Sequence, residues 1–154
     1  MAIINENIYL FINFKITHGI GYISNIKINN KTINLIDASY NSNPLSLTSA
    51  ILNYDKIDSK ISKKFLLLGD MLELGNHSKT LHRSIAPIIN RTKIDKVFVK
   101  GNKISYTLKS ILKTKRGKIY NNDYKLMELS KNQLNKKDFI MMKKIGFNGK
   151  IFIQ

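Results

Sequence analysis

The stretch Ile33-Asn34-Leu35-Ile36-Asp37-Ala38-Ser39-Tyr40-Asn41-Ser42-Asn43-Pro44 decides the fold. Ile33 to Ala38 reads as a buried strand, and Asn43-Pro44 as the start of a helix. Proline suits the first helical position because it lacks an N–H that would be unpaired there anyway, and the Asn43 side chain can cap the free amides that follow. Leu47, Ala50, Ile51 and Tyr54 then fall at i, i+3, i+4 and i+7, one face of a helix.

The same alternation runs down the chain. Phe65-Leu66-Leu67-Leu68 is a second buried strand, stopped by Gly69. Leu81, Ile85, Ile88 and Ile89 mark another helical face, in which Pro87 predicts a bend or an early break. Val97-Phe98-Val99 is the next strand, and Ile104, Leu108, Ile111 and Leu112 the next helix. A short strand at Lys118-Ile119-Tyr120, a helix over 123–134 and a strand at Phe139-Ile140-Met141-Met142 complete the pattern. Strands are thus predicted near 33–38, 65–69, 96–100, 118–120 and 138–143. Wholly apolar strands separated by helices indicate a sheet covered on both faces. The expected fold is α/β: a Rossmann-like, three-layer domain with a mainly parallel sheet. Right-handed crossovers would place the loops after the strands along one sheet edge, where such domains bind ligands.

Composition sets outer limits. A chain of 154 residues is one domain, or one domain with a short appendage, and can bury roughly 70% of its unfolded surface. The absence of cysteine rules out disulfides, thiolate metal sites and cysteine nucleophiles. No apolar run approaches the roughly 18 residues of a membrane span, and Met1 to Glu6 lacks the basic-then-apolar order of a signal peptide. A cytoplasmic location is expected. The net charge of +16 comes from 26 basic and 10 acidic residues. Only Arg83, Arg91 and Arg116 are arginines, the residue preferred for bidentate base and phosphate contacts. The lysines are scattered, and Ile and Asn are abundant beside them, as an AT-rich coding sequence would produce. The excess reads as compositional drift, and no specific nucleic acid is expected as a partner.

Two loops carry the unusual residues. In the first, Asp37, Tyr40, Asn41 and Asn43 sit at the mouth of a helix, where free N–H groups favour anions; an Asn-capped turn would look the same. The second, Leu68-Gly69-Asp70-Met71-Leu72-Glu73-Leu74-Gly75, sets two carboxylates between glycines and is followed by His77 and His82. Those histidines are five apart, not the i, i+4 spacing of a helical zinc pair, so no metal site is predicted. Solvated loop carboxylates and a surface or capping histidine would account for the pattern equally.

Taken together, the two loops resemble the Mur ligases. Leu35 to Pro44 is similar to that family's L-I-D-D-S-Y-N-A-N-P, Leu68 to Gly75 matches its L-G-D-M-L-E-L-G, and Leu81-His82 fits the L-H that follows. The combination is most similar to the branch that joins D-alanyl-D-alanine to UDP-N-acetylmuramoyl-tripeptide in peptidoglycan biosynthesis. Such ligases have a sugar-binding, a central ATPase and a C-terminal α/β domain. The resemblance implies that residues 22–154 are the C-terminal domain and residues 1–21 a remnant of the central domain's end. Phe14-Lys15-Ile16-Thr17 and Gly19-Ile20-Gly21 fit the family's F-K-P-T…G-R-G at that junction.

The resemblance also implies ATP and Mg2+ as cofactors, and a separate chain with the other two domains as a partner. It makes Asp37, Asn41 and Asn43 nucleotide-facing. Asp70, Glu73 and His82 become residues of a substrate loop, either binding the dipeptide ammonium or fixing the loop. Departures from the family pattern are Ile20 for an arginine, Ala38 for the second Asp, Lys143-Lys144-Ile145 for K-G-S, and an end over 146–154 with little helical character. No G-x-x-x-x-G-K-[ST] phosphate loop is present. The chain alone is therefore expected to be inactive, either as a split subunit or as a non-catalytic remnant. A basic nucleic-acid-binding module is the third, weaker reading.

Overall fold

Among the described residues, seven strands make one sheet: β1 (Lys15–Thr17), β2 (Gly21–Ile28), β3 (Lys31–Asp37), β4 (Lys64–Gly69), β5 (Lys96–Lys100), β6 (Arg116–Tyr120) and β7 (Phe139–Lys143). Their order is β1-β2-β3-β7-β4-β5-β6. The computed structural model describes residues 15–17, 21–28, 30–38, 43–122, 129 and 132–143. β1, β2 and β3 form an antiparallel margin, and every neighbour from β3 to β6 is parallel. The helices are α1 (Pro44–Asp55), α2 (Ser78–Ser84), α3 (Ala86–Asn90) and α4 (Ser105–Ser110).

Alternation along the strands divides two cores. Ile36, Leu66, Leu68, Val97, Val99 and Met141 face the helices, packing on Leu47, Ile51 and Tyr54 of α1 and on Ile85, Ile89 and Leu108. Their neighbours Leu35, Phe65, Leu67, Phe98, Ile140 and Met142 face the other way, with Leu129 and Leu134 among their contacts. Burying each such side chain contributes about 1.5–3 kcal/mol. The path explains the layers. From β3 through β4 and β5 to β6 the chain steps in one direction, so right-handed crossovers keep α1 to α4 on one face. The return from β6 to β7 runs backwards, and Leu129 and Leu134 within it lie in the core of the opposite face.

Polar side chains fix the N-terminal ends of the strands. Asp138, buried, accepts from the Lys63 amide at 3.0 Å and the Asn135 amide at 2.7 Å. Asp95 accepts from the Lys64 amide at 2.8 Å. Lys64 Nζ donates to the Asp55 carbonyl at 2.7 Å, and Lys115 Nζ to the carbonyls of Thr92 and Ile94 at 2.7 and 2.6 Å. Burial lowers both ammonium pKa values from the usual lysine range. Part of the lysine excess thus serves the fold.

The five predicted strands are present, with β6 beginning two residues before the short strand read at 118. Three other expectations need comment. The helical face through Leu81 to Ile89 is broken at Ile85, and Pro87 lies in the first two positions of α3, where its missing N–H leaves no bond unmade. α4 stops at Ser110, so Leu112 is not on a buried helix face; it is half exposed. The cause is Arg116, which donates to the carbonyls of Ile111 and Lys109 at 3.0 and 2.8 Å and closes the helix end. Of the helix expected over 123–134, Leu129 and Asn132 are helical, and residues 123–128, 130 and 131 lie outside the described residues.

Tyr54 joins α1 to the sheet: its buried hydroxyl donates to the Phe65 carbonyl at 3.0 Å. Removing that bond in Tyr54→Phe should cost about 1 kcal/mol in urea unfolding at neutral pH. Burial holds this phenol well above the usual tyrosine pKa, so the folded chain keeps the proton to higher pH than the unfolded chain. That contribution is complete below the unfolded value of about 10 and is lost as pH rises through the folded one. Above about pH 10 the native chain should lose stability faster than Tyr54→Phe; parallel pH curves for the two would contradict this assignment.

Candidate functional site

β7 lies between β3 and β4, parallel to both, so the C-terminal ends of all three open on one sheet edge. The register sets Asp37 opposite Met142, and Leu68 opposite Lys143. The two loops singled out in the sequence therefore leave the same edge. Asp37 ends β3 with its side chain exposed. Lys143 ends β7 buried: burial lowers its pKa from the usual lysine range, while the Asp37 carboxylate acts to raise it. Lys143 is not among the site residues read from the sequence, where it enters only as the first residue of Lys143-Lys144-Ile145, although a charge closing the apolar run Phe139 to Met142 is a visible signal.

Asn43 is committed to the helix. Its Oδ1 accepts from the Ser46 amide at 2.8 Å while its own amide donates to Ser46 Oγ at 3.1 Å, a reciprocal cap on α1. Asn41 and Ile20 lie outside the described residues.

The loop after β4 is held from two sides. Asp70 Oδ1 accepts from the Ile104 amide at 2.7 Å, tying it to the loop after β5. Gly101 makes room: its φ is +132°, and a β-carbon there would overlap the Asp70 carboxylate. On the other side, the fully buried His82 accepts from the Met71 amide through Nε2 at 3.0 Å. Its Nδ1 lies 2.7 Å from the Ser78 carbonyl. A carbonyl only accepts and an amide only donates, so this network assigns the proton to Nδ1. Thr107 Oγ1 donates to the His82 carbonyl at 2.6 Å, joining α2 to α4.

Between these anchors, Leu72 and Glu73 point outward. Glu73 has a φ of +59°, a left-handed conformation that costs an L-residue about 1–2 kcal/mol and that the anchored loop imposes. A pocket of about 190 Å3 opens between the loops after β4 and β5, with Asp70, Glu73 and Lys103 among its lining residues. The structure thus separates the sequence candidates. Asp37 and Glu73 face outward at one edge, whereas Asn43, Asp70 and His82 spend polar atoms on backbone amides. Among the described residues no group of three or more His, Asp or Glu side chains is gathered to hold a metal ion.

His82→Ala would leave a cavity and an unpaired Met71 amide. A loss of about 2–4 kcal/mol in urea unfolding is expected, with faster hydrogen exchange at Met71 than elsewhere in the core. A loss below about 0.5 kcal/mol would mean that His82 does not hold the loop.

Comparison with known proteins agrees with this geometry. The family described as "Mur ligase, glutamate ligase domain" matches residues 25–143. The UDP-N-acetylmuramoyl-tripeptide–D-alanyl-D-alanine ligase of Bacillus subtilis (strain 168) is 32% identical over 114 residues, covering 72% of this chain and 25% of that protein. The enzyme of the same name from Buchnera aphidicola subsp. Acyrthosiphon pisum is 38% identical over 103 residues, covering 67% of this chain and 21% of that one. The chain therefore spans about a quarter of the length of the curated relatives it matches. Among solved structures, MurF ligase from Thermotoga maritima, in complex with ADP, superposes with a TM-score of 0.61 at 20% identity, over 86% of this chain and 26% of that one. MurF from Acinetobacter baumannii gives a TM-score of 0.61 at 20% identity, over 90% and 28%. These structural likenesses establish the fold, and with the family match over residues 25–143 the chain belongs to the Mur ligase family, in its glutamate ligase domain.

Proposed function

We propose that this chain is the C-terminal domain, residues 22–154, of an ATP-dependent amide-forming ligase that adds D-alanyl-D-alanine to UDP-N-acetylmuramoyl-tripeptide in cytoplasmic peptidoglycan biosynthesis. A separate chain would carry the sugar-binding and ATPase domains, and residues 1–21 would be the tail of the central one. β1, within that tail, pairs with β2 of the sheet. The observation that carries the reading is the opening of both family loops, Asp37 onward and Asp70 onward, on one edge of the sheet.

In the family reaction a carboxylate is activated as an acyl phosphate, and the dipeptide amine displaces phosphate. ATP with Mg2+ supplies that activation. The described residues do not fit the phosphates and the metal by themselves. They include no glycine-rich phosphate loop and no cluster of three metal-binding side chains, and Asp37 is a single exposed carboxylate. Phosphate and metal binding is assigned to the partner, and no phosphoryl-transfer step is placed here. This chain's part is to bring Asp37 to the nucleotide side, to present the dipeptide from the loop after β4, and to exclude water that would hydrolyse the acyl phosphate. Among the described residues no helix is long and apolar enough to cross a membrane.

The purified chain with ATP, Mg2+, UDP-N-acetylmuramoyl-tripeptide and D-alanyl-D-alanine should release no phosphate and form no amide. Adding a chain that carries the two other domains should produce ligation, and Asp37→Ala should lower kcat in that mixture about 10²-fold. A folded chain that supports no ligation on mixing would instead establish the non-catalytic remnant, the reading that Ile20 in place of the family's arginine favours.

A further inference from the structure

A larger cavity lies at the edge of the sheet opposite the two family loops, where β4 and β5 begin. Its volume is about 570 Å3, and its wall combines the end of α1, the segment after it, Lys64 of β4 and Lys93 just before β5. Small-molecule sites are usually roughly 300–1,000 Å3. The charges on the wall are Lys56, Lys60, Lys64 and Lys93 against Asp55 and Asp58.

Lys64 is the unusual member. It is 2% exposed, and it precedes Leu66 and Leu68 on the helix-covered face of β4. Its ammonium donates to the Asp55 carbonyl at 2.7 Å and lies 5.8 Å from the centre of the Tyr54 ring. An ammonium carries three N–H donors. Among the described residues no second acceptor meets Lys64 Nζ. A buried cation short of acceptors is costly, and this one forms part of a cavity wall.

The groups around that ammonium set its preference. Asp55, Asp58 and Asp95 act on it as carboxylates and Lys93 as a second cation. Asp55 Oδ1 already accepts from the Lys93 amide at 2.7 Å, and Asp95 Oδ2 from the Lys64 amide at 2.8 Å. Asp58 is exposed and lies 3.9 Å from Lys60. The carbonyls of Asn53 and Tyr54 at the end of α1 accept from the amides of Lys56 and Ile57, each at 3.2 Å. The negative groups are thus engaged, while the charge of Lys93 opposes that of Lys64. An anion in the cavity would relieve that repulsion and supply the missing acceptors.

We propose that this cavity binds the phosphate group of a small molecule, with buried Lys64 and exposed Lys93 as the cations that receive it. A phosphate monoester suits two cations better than a carboxylate does, because it brings almost two charges and three strong acceptor oxygens. The cavity shares no residue with the edge that carries Asp37, Asp70 and Glu73, so the proposal stands apart from the ligase reading.

The test is an NMR titration of the full chain with glycerol phosphate, inorganic phosphate and acetate, at one ionic strength set with sodium chloride. Both phosphates should shift the amides of Ile57, Lys64 and Lys93 saturably. Acetate should bind at least about tenfold more weakly, a charge-assisted hydrogen bond being worth about that much. Burial lowers the Lys64 pKa from the usual lysine range. Bound phosphate favours the charged form, so the carbon-13 titration of the Lys64 Cε should move to higher pH. A lysine that only supports the end of α1 would not respond in this way. Lys93→Gln, at an exposed position, should weaken phosphate binding about fivefold. Lys64→Met should abolish it, with unchanged Ile26 and Phe98 resonances verifying the fold. If that variant does not fold, Lys93→Gln and the Cε titration still decide. Shifts spread over distant exposed lysines such as Lys79 and Lys109 would mean that phosphate only screens the net charge of +16, and would overturn the site. So would a Cε titration that phosphate leaves in place. Glycerol phosphate binding more weakly than inorganic phosphate would rule out a small-molecule occupant.

Discussion

The insertion of β7 between β3 and β4 is the constraint on which the site depends. The Asn34 and Ala38 amides of the β3 segment donate to the Asp138 and Met142 carbonyls at 2.8 and 2.9 Å, and the Phe139 amide donates to the Lys63 carbonyl at 2.9 Å. Without β7, both β3 and β4 would present unpaired backbone groups along an apolar edge. The closure joins segments about a hundred residues apart in sequence and carries the loop-closure entropy of that separation. The complete burial of Ile140, Met141 and Met142 offsets it. Once β7 is seated, the ends of β3 and β4 must open on the same edge, because parallel strands share a direction.

A second level of order lies in how polar side chains are spent. Three residues that resemble family motif positions, Asn43, Asp70 and His82, satisfy backbone amides that would otherwise be stranded at a helix start or a loop. The outward groups Glu73 and Lys103 lie on the loops that Asp70 and His82 hold, and Asp37 is set by the register of β3 with β7. Motif identity and ligand contact are therefore different properties. A residue can be characteristic of a family because it shapes a loop, while its neighbour meets the ligand.

The hairpin from β2 to β3 shows why some of the architecture is hard to read from residues alone. The alternation Ile26-Lys27-Ile28 and the Asn29-Asn30 turn signal are present, and Asn30 takes a φ of +63°. Yet the amide of Asn25 and the hydroxyl of Ser24 make the run look polar, and pairing with β3 is what makes it a strand. The end of α4 differs from its sequence-based bound for a similar reason. Ile111 and Leu112 continue the helical spacing, and a guanidinium several residues on, Arg116, ends it by taking the last carbonyls. Lys143 is legible as the charge that ends an apolar run, but its burial at the site edge depends on the strands placed on either side of it.

Local chemistry in the sequence was enough for the elements whose causes are local. Pro44 and Asn43 start α1 through one residue's missing N–H and another's side-chain oxygen, and the apolar runs at Phe65, Val97 and Phe139 are strands because nothing else buries them. The family and the two candidate loops were legible in the same way, as strings of residues. That the two loops share an edge followed from the parallel sheet and right-handed crossovers expected from the sequence; the tertiary structure alone decided that β7 lies between β3 and β4, that Asp70 and His82 face backbone amides, and that Lys143 is buried at the end of β7. Those facts depend on contacts between residues far apart in the chain, through the register of β7 and the packing of α2 against α4. No local spacing encodes a distance between two segments that meet only when a third is placed between them.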